Sequence, residues 1–330
     1  MADVEVVATA LDRATEVLRS ASLVALACHV NPDADALGSM LGLANHLAER
    51  DVETVCSFGN EPLELPRWAS MLPGADTLVP AKDYPAGPDV FVTCDTASLD
   101  RLGALARVVP KAREVIWIDH HVSNEGLGTI PVIDPAASST AEVVYRLLIR
   151  IGGEISAASA ICLYAGIVTD TGRFQYGATR PETLRVAADL RERRFDHVAL
   201  GQALYEDGSA RYLRLLSTAL GRLTLEKDPD VVWTYLTQAD LAEAGVHPSE
   251  TDGLIDLIRT AREADVAAVV KQQRDGRFKV SLRSRGGHDV ASVASAFGGG
   301  GHRLAAGYTS NTGLSETVEQ LRATLVRHAT

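Results

Sequence analysis

The sequence holds no apolar run long enough to cross a bilayer, and Asp3, Glu5, Asp12, Arg13, Glu16 and Arg19 load its opening with charge that a secretory signal excludes. A cytoplasmic protein without a membrane partner is expected. Cysteine is scarce as well. Cys28, Cys56, Cys94 and Cys162 stand singly among apolar neighbours with no CxxC pair, so they read as buried thiols of a reducing compartment, and neither disulfides nor a structural zinc are expected. Nor does the chain carry excess positive charge. A formal net charge of −11 disfavours a protein that coats long duplex DNA through phosphate contacts.

At 330 residues, 46% hydrophobic and 23% charged, the chain has the balance of a soluble globular protein and the length for two domains, each with its own core. The cations it does have are gathered. Between residues 271 and 303, Lys271, Arg274, Arg277, Lys279, Arg283, Arg285 and Arg303 face only Asp275 and Asp289. A basic patch on an acidic protein suits a small anionic ligand better than a polymer.

Val4, Val7, Leu11, Ala14 and Leu18 recur at helical spacing, so the chain opens with an amphipathic helix. Leu23 to Cys28 is a continuous apolar run of strand length, the mark of a strand buried on both faces of a parallel sheet. Val52 to Phe58, Asp89 to Cys94 and Val115 to Ile118 repeat it. Between the second and third of these runs, a proline-rich stretch from Pro62 to Pro88 is expected to wrap the surface irregularly. The expected architecture is α/β in two domains: a parallel-sheet domain over 1–190, a helical connector over 191–228 and a smaller α/β domain over 229–330.

Chemistry-bearing residues collect where apolar segments end. His29-Val30-Asn31-Pro32-Asp33-Ala34-Asp35 follows the first strand, Asp95 the third, and Asp119-His120-His121 the fourth. A helical pattern through Ile161, Cys162, Ala165 and Val168 ends in Thr169-Asp170-Thr171-Gly172. In an open α/β sheet the carboxyl ends of the strands are where ligand crevices form. Asp33 or Asp35 taken alone reads equally well as the cap of the helix that follows, and Gly38-Ser39 in its opening turn could present N–H groups to a phosphate. Together, however, His29, Asp33, Asp35, Asp95, Asp119, His120, His121 and Asp170 bring five carboxylates into one crevice. They would raise one another's pKa unless divalent cations held them ionised. Oxygen and imidazole donors without thiolate favour Mn²⁺, then Mg²⁺. Two such ions roughly 3.5–4 Å apart would share a carboxylate and activate a water for in-line attack on phosphorus.

The sequence HVNPDADALGS, the Asp95 segment, the Asp119-His120-His121 triplet and YAGIVTDTGRF resemble, in order and spacing, the four motifs of the DHH phosphoesterases. The resemblance implies that His29, Asp33 and Asp95 hold one metal and that Asp35, Asp95, His120 and Asp170 hold the other, with Asp95 as the bridge. It further implies that His121 faces the scissile phosphate as an electrophile or proton donor. Asp119 would support the cluster from behind or serve the fold.

In the second half, apolar residues keep helical spacing from Pro181 to about Leu225, and Arg191-Glu192-Arg193-Arg194 reads as a solvated face. Val231 to Leu236 then opens a strand-rich region. Arg277 to Arg285 alternates with period two, placing Phe278, Val280 and Leu282 on one face and Arg277, Lys279, Ser281, Arg283 and Arg285 on the other. Such cations also protect a surface strand from aggregation, and Arg283 is the one singled out as a ligand contact. Phe297-Gly298-Gly299-Gly300-Gly301-His302-Arg303-Leu304 lies between apolar residues, unlike a linker, so its glycines let the backbone approach an anion to which His302 and Arg303 donate hydrogen bonds. This stretch resembles the GGGH element of the DHH-associated C-terminal domain, which accompanies the DHH domain in oligoribonuclease/pAp phosphatases and in cyclic-dinucleotide phosphodiesterases. A final amphipathic helix runs through Leu314, Val318, Leu321 and Leu325.

The two resemblances cover most of the chain and imply a homodimeric phosphohydrolase with its active site in the cleft between the domains. Asp95 and His121 would be catalytic beside the metals. Arg283, Gly299, Gly300, Gly301, His302 and Arg303 would hold one end of a short RNA or small nucleotide such as pApA, pAp (3′-phosphoadenosine 5′-phosphate) or c-di-AMP. An inorganic pyrophosphatase would lack the four-glycine element. A RecJ-like exonuclease would need a strand-tracking module that this short, acidic chain does not supply, and a non-catalytic sensor has no use for the full ligand set.

Overall fold

The computed structural model describes residues 2–124 and 126–328, with the side chains of Ala2, Asp3, Val4 and Ser249 outside the described residues. The chain divides into two compact units, Met1–Asp207 and Gly208–Thr330.

The first unit runs through α1 (Ala2–Ser20), β1 (Leu23–Cys28), α2 (Ala34–Ala48), β2 (Glu53–Phe58), β3 (Val90–Cys94), β4 (Glu114–Asp119), β5 (Ile130–Ile133), α3 (Thr140–Ile151), α4 (Ala157–Asp170), α5 (Pro181–Glu192) and α6 (His197–Tyr205). Its five strands are all parallel, in the order β2-β1-β3-β4-β5. β1, β3 and β4 are buried along nearly their whole length, which is why each reads as an unbroken apolar run. On one face, Val24, Leu26, Val92, Ile116 and Ile118 share a core with helix residues such as Leu11, Leu37, Leu147, Ile167 and Leu200. On the other, Ala25, Phe91, Val115 and Trp117 are covered by Ala81, Tyr84, Leu102, Leu105 and Val108. Here the proline-rich stretch departs from the expected surface wrap: its Ala69, Leu72, Ala75, Ala81 and Tyr84 are buried. Prolines bar a long helix, but short 3₁₀ turns at Arg67–Met71, Ala75–Thr77 and Ala81–Asp83 still direct apolar side chains inward. The four cysteines are free and buried, and burial pushes the Cys56 thiol up to about 12.

The second unit runs through α7 (Ala210–Gly221), β6 (Thr224–Lys227), β7 (Asp230–Leu236), α8 (Gln238–Ala244), α9 (Leu254–Ile258), β8 (Val266–Gln272), β9 (Phe278–Ser284), α10 (Val290–Ser295), β10 (Gly300–His302), β11 (Ala305–Ser310) and α11 (Leu314–Arg327). The strand order is β10-β11-β9-β8-β7-β6, with β7 and β8 parallel and the other neighbours antiparallel. One face of the sheet packs on α10 and α11 through Val280, Leu282, Val293, Leu321 and Leu325. The other packs on α7, α8 and α9 through Ala267, Val269, Leu215, Leu241 and Ile255. The expected period-two strand is β9, where Phe278, Val280 and Leu282 are buried and Lys279 is exposed. The segment 191–228 is shared between the units, since Leu200 of α6 joins the first core and Leu215 and Ala219 of α7 join the second unit.

Candidate active site

Strand register sets the row from which the site is built. Cys28 of β1 lies opposite Cys94 of β3, and Cys94 lies opposite Ile118 of β4. The residues that follow, His29, Asp95 and Asp119, therefore stand abreast at the carboxyl edge, on strands about 4.8 Å apart. The strand order also reverses here, with β2 on one side of β1 and β3 on the other. Asp95 has φ 55, a left-handed conformation that a residue with a Cβ adopts only when its surroundings hold it there.

Among the described residues three donor sets converge: His29, Asp33 and Asp95; Asp35, His120 and Asp170; and Asp95, His120 and His121, the atoms of each set lying within 4.8 Å of one another. The Asp95 carboxylate is 3.5 Å from His29 Nε2 and 3.8 Å from His120 Nε2, and Asp33 is 3.8 Å from His29 Nε2. His120 Nε2 is 3.2 Å from Asp170. Most of these spacings are too long for hydrogen bonds and suit donors arranged around a cation. His29 Nδ1 lies 2.8 Å from the Val30 carbonyl, which turns Nε2 toward the carboxylates. Asp33 serves two ends. Its Oδ1 caps α2 by accepting the N–H groups of Asp35 and Ala36 at 3.1 and 3.0 Å, while Oδ2 faces His29.

Protons occupy the cluster as cations would. Burial would depress His29, but Asp33 and Asp95 outweigh it and raise the imidazole to about 10. Burial and the charge of Asp95 push Asp35 and Asp170 well above the usual carboxylate range. Enclosure would raise Asp33 too, yet the neighbouring His29 imidazole, when charged, holds it at about 2. Acids that stay protonated for want of positive charge, mixed with imidazoles and no thiolate, fit divalent cations.

The N-terminus of α3 supports the cluster, and the sequence analysis did not single it out. Thr140 N–H and Ala141 N–H donate to Asp35 Oδ2 and Oδ1 at 2.7 and 2.9 Å, and Thr140 Oγ1 donates to Asp95 Oδ1 at 2.8 Å. Ser139 caps the helix by accepting from Glu142 N–H. The pattern Ser139-Thr140-Ala141-Glu142 is a recognisable helix start, but nothing local says that its first two amides meet Asp35, 105 and 106 positions earlier in the chain. α4 comes close because Gly166 has no side chain. A Cβ there would lie 2.5 Å from Asp35 Oδ1.

Asp119 stands outside the three donor sets. It is fully buried, and its Oδ1 accepts from His120 N–H, His121 N–H and His121 Nδ1, while Oδ2 accepts from Asn124 Nδ2 at 2.6 Å. Burial would raise this carboxyl, but His121 and Asn124 bring it below the usual range. His121 is in turn raised to about 9, Asp119 and Asp95 overcoming its own burial.

In the second unit, Arg283 of β9 is half-buried, its Nε 3.5 Å from Asp256. Register places Arg283 opposite Ala305, and Ala305 opposite His302, so Arg283 and His302 share one cross-strand row. The four glycines are structured: Gly300 to His302 forms β10 against β11, and Phe297 stacks on Tyr308 with ring centres 4.3 Å apart. Gly301 has φ 140, and a Cβ there would lie 2.5 Å from the Ala305 carbonyl. Gly300, Gly301, His302 and Arg303 are exposed and Gly299 is half-buried.

Residues 23–167 match the DHH family, N-terminal domain, and residues 228–328 match the DHHA1 domain. The chain is 35% identical over 285 residues to the bifunctional oligoribonuclease and PAP phosphatase NrnA of Thermus thermophilus, an alignment covering 86% of this chain and 83% of that one. The chain belongs to the DHH family of phosphoesterases. This DHH phosphoesterase is also 29% identical over 300 residues to the protein of the same name from Bacillus subtilis, covering 89% and 92% of the two chains. An exopolyphosphatase-related protein from Bacteroides fragilis shares its fold with a TM-score of 0.90 at 26% identity, over 97% of this DHH chain and 96% of that one.

Proposed function

We propose that this phosphoesterase hydrolyses short oligoribonucleotides such as pApA, and also pAp, to mononucleotides, using two divalent cations, Mn²⁺ before Mg²⁺, around Asp95. The observation that carries this is the place of Asp95 in two donor sets at once. His29, Asp33 and Asp95 would hold one cation, and Asp35, Asp95, His120 and Asp170 the other. When bound, the cations supply Lewis-acid activation of water and neutralise phosphoryl charge.

The residues of the chain do the positioning. Asp119 fixes the His121 ring and favours its protonated form, which can donate to a phosphate oxygen as negative charge builds. The α3 amides hold Asp35, and Thr140 orients Asp95. Arg283, His302, Arg303 and the backbone of Gly299, Gly300 and Gly301 take the terminal phosphate of the substrate. Capping one end in this way favours short chains. The names of the relatives, oligoribonuclease and PAP phosphatase, support the same substrate class. The working form is taken to be a cytoplasmic homodimer, which sedimentation of the purified protein tests.

The deciding assay compares pApA, pAp, c-di-AMP and pyrophosphate side by side with Mn²⁺. Turnover of pApA and pAp is expected, with loss in EDTA and in His120→Ala. Turnover of pyrophosphate alone, or activity undiminished by EDTA, overturns the proposal.

A further inference from the structure

The basic stripe of the second unit splits in two. Arg277 pairs with Asp275, Arg283 lies beside Asp256, Arg285 donates to the Ala261 carbonyl and Arg303 to that of Gly286. Lys271, Arg274 and Lys279 instead line an open cavity of about 400 Å³, floored by Leu236, Leu241 and Pro248. It lies at the carboxyl ends of β7 and β8, the parallel pair of the sheet, where crossover folds leave crevices.

Its charge is unbalanced. Lys271 and Lys279 are direct cross-strand partners, and like charges so placed are destabilising unless something answers them. Lys271 is answered: its side chain is 12% exposed, and its Nζ donates to Asp252 Oδ1 at 2.6 Å and to Thr251 Oγ1 at 3.1 Å. Lys279 and Arg274 are exposed, and their side chains make no ion pair or hydrogen bond among the described residues. The cavity therefore presents three cations against one carboxylate beside an apolar floor. Gln272 is tied to Gln238, accepting its N–H at 3.0 Å and its Nε2 at 2.6 Å, and Gln273 also lines the space.

We propose that this cavity is a binding site for a nucleoside monophosphate. Lys279 and Arg274 take the phosphate, the apolar floor takes the base, and the glutamine amides meet its polar edge. The volume suits one small ligand, since such pockets run from roughly 300 to 1,000 Å³. It is separate from the glycine element. Lys279 and Arg283 are four residues apart in β9, about 13 Å along the strand. A mononucleotide is also the product class of the proposed hydrolysis, so occupancy would report product level, but the site stands on its own geometry and does not depend on that reaction.

Equilibrium dialysis of the full-length protein against AMP in EDTA tests it, with adenosine and inorganic phosphate as comparison ligands. Wild type and Arg277→Ala, a cation of the same stripe that pairs with Asp275 outside the cavity, should bind AMP alike. The double variant Lys279→Gln, Arg274→Gln, shown folded by circular dichroism, should raise Kd at least about tenfold, and adenosine or phosphate alone should each bind at least about tenfold more weakly than AMP. The proposal is overturned by no AMP binding, by wild-type binding in the double variant, by equal weakening in Arg277→Ala, or by phosphate binding as tightly as AMP.

Discussion

His121 Nδ1 lies 2.7 Å from Asp119 Oδ1, and that same oxygen receives the backbone N–H groups of His120 and His121. One buried carboxylate thus holds both the chain at the strand end and the ring that leaves it. Asp119→Asn keeps the shape but places an amide where Asn124 Nδ2 now donates, and the ring loses its charged partner. We expect kcat on pAp to fall about 10–100-fold with KM little changed and the circular dichroism spectrum intact. Wild-type kcat would remove His121 from the reaction.

Thr140 links α3 to Asp95 through a 2.8 Å hydrogen bond. Thr140→Val keeps the volume and the backbone N–H to Asp35 but deletes that bond. Removing such a support weakens metal binding by about 10–100-fold, so Mn²⁺ titration should show that loss, and Thr140→Ser should restore affinity. Equal affinity in all three proteins would assign the threonine a packing role alone.

Gly166 leaves the space that Asp35 fills. In Gly166→Ala the new methyl meets Asp35 Oδ1 and the Ala141 Cβ, at 2.5 and 2.8 Å before relaxation. Overpacking of this kind costs about 1–3 kcal/mol, and here the group displaced is a carboxylate of the cluster. Lower thermal stability together with weaker Mn²⁺ binding is the expected pair of results; a variant with unaltered metal binding would show that Asp35 relaxes freely.

His46 of α2 is fully buried, and neither ring nitrogen has a hydrogen-bond partner among the described residues. Burial first, and the Arg50 charge second, lower it from 6.5 to about 4, with the Gly152 backbone opposing them from beyond hydrogen-bond geometry. The folded value lies below the unfolded one, so stability is full above pH 6.5 and is lost as pH falls toward 4. The loss amounts to roughly 3 kcal/mol. Urea unfolding at pH 7 and pH 4.5 should show His46→Leu losing less stability across that interval than wild type. Parallel losses in the two proteins would mean that water reaches the imidazole.

Much of the first unit is legible in the chain because a strand buried on both faces must be apolar without interruption. Whatever ends such a run must stand at the sheet edge, as His29, Asp95 and Asp119 do. β9 and the glycine element are legible for a related reason: alternation every second residue marks a half-buried strand, and four glycines between Phe297 and Leu304 mark a backbone that comes close to its neighbour. These signals are local, carried by residues within a few positions of one another. The tertiary structure alone decided that Thr140 would reach Asp95 and Asp35, that the proline-rich stretch would cover a sheet face, and that Lys271 and Lys279 would be set opposite each other, away from Arg283. Each of those outcomes depends on which strands pair and in what register, a property of long-range packing that no short stretch of sequence contains.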